Sequence, residues 1–249
     1  MHYQKHRHAL SQPMQLILCL LALLLGGSVV VLGSRLLMAD LNQYRASHFL
    51  SDWEGKRQVP SDRAWQVAEQ AMQDAIAWYP GENAAYAEQL GYMWQWRAYS
   101  ANTSDEQRQL SQQQAIAAFR QATAQRPVWP YAWSGLAYAK MSAAEYDQEF
   151  RHAMQQAVHY GPTRIGINKR IAEIGLYSWP YLDLELRELV LSQAAYAARY
   201  SRGSRRELFA WATEAGREQM LCQYLQDGLQ PCAPLPKEEA AAASSSTAK

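Results

Sequence analysis

The hydrophobic pattern divides the chain into two unlike parts. From Met14 to Ser34 it runs MQLILCLLALLLGGSVVVLGS, 21 residues without a charge. At about 1.5 Å per residue, such a helix reaches across roughly 30 Å of hydrocarbon. Beyond Pro60, apolar side chains recur at helical spacing among Ala, Gln, Arg and Glu, and strand-like alternation is almost missing. The pattern predicts an all-α fold, a transmembrane helix followed by a helical domain. Ser61 or Asp62 caps a helix reaching Tyr79, where Pro80-Gly81 stops it, and Glu82 to Tyr99 forms the next. Ser104 with Gln107 makes a capping box for a long helix that ends before Pro127. Further helices are expected over 130–140, 143–160, 163–175, 180–201 and 204–227.

The helical part contains a spacing that repeats. Ala115, Phe119, Ala122 and Pro127 fit the second helix of a tetratricopeptide-like unit, and Trp133, Leu136 and Ala137 fall where the next unit needs its packing residues. That unit continues through Phe150, Met154, Ala157 and Pro162. Upstream, Ala68, Met72, Ala75 and Pro80 form another second helix, and Leu90-Gly91 opens the unit that Ala115 closes. The separation of Gly91 and Ala115 is longer than a regular unit needs, which calls for a lengthened hairpin or an inserted turn around Asn102. Small residues let paired helices approach, large ones fill the grooves between pairs, and proline stops each second helix. An irregular bundle with accidental spacings is the competing reading. A solenoid of helical hairpins offers a concave surface whose default task is binding.

Lys5 and Arg7 precede the apolar run, so the positive-inside rule places residues 1–13 in the cytoplasm and the rest across the membrane, with Arg35 and Arg45 opposing that bias. The division expected is a tail at 1–13, the span at 14–34, a membrane-proximal stem at 35–60, a periplasmic domain at 61–232 and a disordered tail at 233–249. A signal peptide cleaved near Gly33 is the alternative, although the run exceeds the usual length. Cys19 lacks the small residues that a lipoprotein signal needs before it. Outside the cytoplasm, Cys222 and Cys232 can close a disulfide loop through Gly228 and Pro231, and two free thiols are the alternative.

Composition narrows the chemistry. Twenty-four Lys and Arg balance 23 Asp and Glu, which argues against an electrostatic nucleic-acid binder, and 49% hydrophobic residues are too many for wholesale disorder. Glu149 and His152 form one Glu-x-x-His, but a carboxylate-bridged metal pair needs a second copy. No His-Glu-x-x-His, Gly-x-Ser-x-Gly or phosphate-binding glycine loop occurs. No catalytic residue, metal or cofactor is therefore expected. Aromatic residues concentrate between Trp94 and Tyr138, and Trp129 and Tyr131, with Arg97 and Arg170, are the candidates for a binding groove. Trp133 is expected in the core.

With the anchor and the segment PYAWSGLAYAKMSAAEYDQEFRHAMQQAVHYGPTRIGINKRIAEIGLYSWPYLD in view, residues 60–235 resemble the VpsP-like accessory family of bacterial exopolysaccharide gene clusters, named after Vibrio polysaccharide protein P. The run through Ala157, Gly161, Pro162, Ile171 and Leu176 is also similar to helical-repeat tails of O-antigen ligase and polymerase-like proteins. The resemblance implies a polytopic inner-membrane polysaccharide polymerase, ligase or export component as partner; an acidic or neutral polysaccharide is the second ligand class, which the groove aromatics could stack on and the arginines hydrogen-bond. It supplies no catalytic residue. An adaptor for cell division, secretion or cytochrome maturation is the alternative role.

Overall fold

The computed structural model describes residues 12–56, 58–99, 103–225 and 232. Its first helix, α1 (Gln12–Lys56), is continuous from the apolar run into the domain. Among the described residues nine shorter helices follow: α2 (Asp62–Trp78), α3 (Ala84–Ala98), α4 (Asp105–Gln125), α5 (Pro130–Ser142), α6 (Gln148–Tyr160), α7 (Ile165–Ser178), α8 (Leu184–Tyr200), α9 (Arg202–Glu214) and α10 (Glu218–Leu225), with a 3-10 turn at Trp179–Tyr181. Local chemistry sets most starts. Ser61, Asn83, Asp147, Asp183 and Ser201 each accept a backbone N–H of the first helical turn, and Ser104 and Gln107 complete the expected capping box. The predicted helix over 204–227 is two helices, because Gly216 takes the left-handed conformation (φ +66°) and ends α9.

Consecutive helices pair as hairpins, α1 with α2 through α9 with α10, and the first member of each pair also packs on the first member of the next. These packed pairs are consistent with a helical-repeat solenoid. Its wedge is Phe119 of α4, fully buried between α3 and α5. A Cβ built on Gly91 would lie 2.8 Å from that ring, and one built on Gly135 would lie 2.3 Å from it. Glycine at both positions is what lets the two helices close on the ring. Gly175 does the same for Val190 between α7 and α8, where an added Cβ would come to 2.1 Å. Leu136, Ala115, Ala122 and Ala157 are buried, and Leu90 packs against the buried cluster shared by α1, α2 and α3. Trp133 packs against the central core cluster from its edge, and Pro162 lies at the surface. Trp133 is half-buried at this hairpin edge, where its indole N–H donates to the Pro127 carbonyl at 2.6 Å.

Residues 35–56, read from the sequence as a stem, belong to the packed unit. Ala39, Asn42, Ala46, Leu50 and Trp53 are buried, forming one cluster with Trp65, Met72, Tyr86 and Met93 of α2 and α3. The fold therefore begins near residue 39 and not at 61. Much of the long interval between Gly91 and Ala115 is taken up by α4, whose 21 residues start nearly three turns before Ala115; the turn expected around Asn102 lies outside the described residues. So does the tail from 233 onward. The 18-residue window that qualifies α1 as a membrane span has none of its surface buried in the fold.

Candidate concave groove

The inner helices α3, α5, α7 and α9 face a shared depression, with α4 contributing from one side. Its larger part, about 640 Å³, lies between Tyr99, Gln112, Tyr138, Tyr146, Tyr177 and Glu214. A second part of about 540 Å³ adjoins it through Gln95, Tyr99, Tyr138 and Glu173, and extends to Trp96, Lys169, Arg170, Trp211 and Glu54 at the end of α1. Helical spacing brings these side chains together: Tyr92, Gln95 and Tyr99 recur on one face of α3, and Gly166, Arg170, Glu173 and Tyr177 on one face of α7.

The polar groups of the lining are tied down. The Tyr99 and Tyr138 hydroxyls lie 2.6 Å apart across α3 and α5, and the Tyr177 hydroxyl donates to Glu214 at 2.6 Å across α7 and α9. Gln95 donates to the Gly135 carbonyl at 3.2 Å, and Gln112 to the Ser142 carbonyl at 2.5 Å. The Arg170 guanidinium sits 4.6 Å from the Tyr138 ring centre and 3.4 Å from Glu173. Burial is the main cause pushing the Tyr138 and Tyr177 phenols up, assisted by Tyr99 and by Glu214 respectively, so both remain neutral. Burial also raises the Glu173 carboxyl, against the pull of Arg170 and Lys169. These shifts leave rings, amides and hydroxyls that can bind a ligand, and they run opposite to the direction that would activate a tyrosine as a base.

Of the four residues singled out from the sequence, only Arg170 lines this groove. Arg97 pairs with Asp62 and lies 5.1 Å from the Trp65 ring centre, so it fastens α3 to α2. Trp129 donates its indole N–H to Glu88 at 2.9 Å, with Arg126 4.0 Å and Arg164 5.5 Å from its ring centre. Tyr131 packs 5.2 Å from Trp129 and against Gly166, beside the groove but not in its wall. The wall tyrosines Tyr99, Tyr138 and Tyr177 come from three different helices, and their one signal in the sequence is a shared inner-face position in successive hairpins.

The Glu-x-x-His pair is structural. Glu149 accepts from Lys140 at 2.8 Å and from Arg120 at 2.7 Å, while the His152 ring meets Trp133 edge-on at 5.3 Å. Among the described residues, no group of three or more His, Cys, Asp or Glu is placed to hold a metal ion. Cys222 and Cys232 form the expected disulfide, and Cys19 is free. The chain matches no protein-family model and no curated protein.

Proposed function

We propose that this protein is a non-catalytic scaffold of bacterial exopolysaccharide assembly, anchored in the inner membrane by α1 with a periplasmic domain of tetratricopeptide-like hairpins. The observation that carries the binding role is the concave groove, continuous across α3, α5, α7 and α9 and lined by tyrosines held neutral. Helical-hairpin solenoids bind extended partners along such surfaces. A membrane tether confines the groove near a membrane partner and raises its effective concentration there. The resemblance to exopolysaccharide accessory proteins points to a polytopic polymerase, ligase or export protein as that partner.

A photoreactive residue at Met141, in the groove, is the direct test, with Tyr196 on the outer surface of α8 as its control. Capture of a polysaccharide polymerase, ligase or exporter from Met141 and not from Tyr196 supports the assignment. Capture of a division, secretion or cytochrome-maturation component would replace it with the adaptor role, and equal capture from both positions would remove the groove from the mechanism.

A further inference from the structure

The hairpins give the domain two unlike edges. α1 runs outward from its apolar segment and α2 returns, so that the Arg35 guanidinium donates to the Trp78 carbonyl at 3.1 Å. The turn at 79–83 therefore comes back beside the end of the apolar run, with the Trp78 side chain 43% exposed. Next to it lies the turn at 126–129, joined by Gln125 donating to Glu82 at 3.0 Å, and then the turn at 161–164, whose Arg164 reaches the Trp129 ring. These three turns carry Arg126, Arg164 and an exposed Val128, and the one acid among them, Glu82, is the acceptor of Gln125. At the opposite edge, the turns at 143–147 and 179–183 carry Glu145, Asp147 and Asp183 and no basic residue.

The register fixes how far this basic edge stands from the apolar run. Tyr86 meets Asp40 at 3.3 Å and Gln89 meets Gln43 at 3.0 Å, so α3 runs parallel to α1 without slippage. On that register Glu88, and with it Trp129, is level with Asn42, about seven residues or ~10 Å beyond Arg35. The polar layer of a bilayer leaflet is roughly 5–8 Å deep, and an arginine stem spans the remainder. Two guanidinium groups lie near one indole there; among the described residues neither closes a salt bridge within 4.0 Å, although Arg126 is also drawn to Glu88, which accepts the indole N–H.

We propose that the edge formed by the turns at 79–83, 126–129 and 161–164 rests on the anionic headgroups of the bilayer that α1 crosses, with Trp78 at the interface and lipid phosphates taken by Arg126 and Arg164 on either side of Trp129. Tryptophan favours that depth, and arginine matches phosphate through paired N–H donors. The inference rests on α1 being a membrane anchor. Seated this way, the domain stands upright, and the groove wall at Glu54 lies about nineteen residues or ~28 Å beyond Arg35, clear of the lipid.

The test uses the full chain with Cys19→Ser, its disulfide kept, and a spin label at Val128→Cys or, as a far-edge control, at Leu184→Cys. In floated vesicles of phosphatidylglycerol and phosphatidylethanolamine, the label at 128 should be shielded from a water-soluble nickel chelate while the label at 184 stays accessible. Each of Arg126→Gln and Arg164→Gln should lower the ratio of docked to undocked protein by about fivefold, as should phosphatidylcholine alone in larger measure. Equal nickel access at 128 and 184 in floated protein would overturn the docked edge and leave the anchor standing. Failure of the full chain to float with vesicles would overturn the anchor and the docked edge together.

Discussion

Phe119 is held on two sides by residues without side chains, so the smallest possible enlargement of either is the sharpest probe of the fold. In Gly135→Ala the new methyl would meet the ring at 2.3 Å, and the ring is enclosed and cannot swing away. Overpacking a closed core costs about 1–3 kcal/mol, while alanine in place of a helical glycine returns up to ~1 kcal/mol. A net loss is expected, read as a lower urea midpoint at unchanged slope. Gly175→Ala should behave alike, because its obstacle is the branched side chain of Val190. Gly55→Ala is the control: nothing lies within 4 Å of its added Cβ, so it should be neutral or slightly stabilising.

Lys140 is the other residue on which much depends. Its side chain is fully buried, and its ammonium donates to Glu145, Asp147 and Glu149 at 2.9, 2.9 and 2.8 Å. Burial alone would lower its pKa, but these three hydrogen bonds outweigh that and hold it raised. Glu149, bonded foremost by Arg120 and then by Lys140, is lowered to about 2, and Glu145 and Asp147 are lowered as well. The sign follows by linkage: depressed carboxylates stabilise the fold above their unfolded values near ~4, and that stability is lost as pH falls toward 2. The raised lysine contributes fully below its unfolded value of about 10.4 and loses its contribution only above it. This cluster contributes a profile that is flat between about pH 5 and 10 and falls on the acid side, which the difference in thermal unfolding between the wild type and a Lys140 variant isolates. Lys140→Met leaves Glu145 and Asp147 without their cation and Glu149 with Arg120 alone; with their outer oxygens in water, the cost should sit at the low end of roughly 3–5 kcal/mol and the acid slope should flatten.

At the level of elements, the last hairpin is the one whose stability depends on a covalent bond. α10 has eight residues and buries only Leu221 and Leu225, too little to hold a short helix by itself. The Cys222–Cys232 disulfide closes a small loop, worth about 2–3 kcal/mol by loop-closure entropy. Reduction should therefore raise amide exchange in α9 and α10 while leaving α3 to α6 protected, and uniform loss of protection would show that the hairpin is not a separate unit. The same contrast explains what the sequence made legible. Helix starts were readable because a cap is a local chemical event, as at Ser104 and Gln107. The inner wall of the groove was not, because Tyr99, Tyr138 and Tyr177 converge only after α3, α5 and α7 are stacked. Trp133 looked like core by its place in the repeat, yet its indole N–H finds a carbonyl at the hairpin edge and keeps the ring half-exposed. Lys140 gave no signal in its own helix; the acids five, seven and nine residues later were the only hint of its burial.

For the molecule as a whole, the decisive feature is that one helix serves both as the apolar segment and as the first layer of the solenoid. Its buried positions begin at Ala39, so a chain starting at Arg35 keeps every packing residue of α1 and loses only the exposed apolar run. That truncation should unfold cooperatively at nearly the temperature of the detergent-solubilised full chain. A chain starting at Pro60 keeps the whole of the domain expected from the sequence, yet it strips Ala39, Ala46, Leu50 and Trp53 from α2 and α3. The faces left bare include Trp65, Met72, Tyr86 and Met93, each less than a tenth exposed in the intact fold. At about 25 cal/mol per Å² of apolar surface, uncovering even one such aromatic side chain costs several kcal/mol, comparable to half the stability of a typical domain. The shorter chain should aggregate or lose the cooperative transition in its first two helices. If it were instead monomeric by size exclusion, with full amide protection in α2 and α3, the outer half of α1 would be a stem after all, and the proposed upright seating of the groove above the bilayer would lose its mechanical basis.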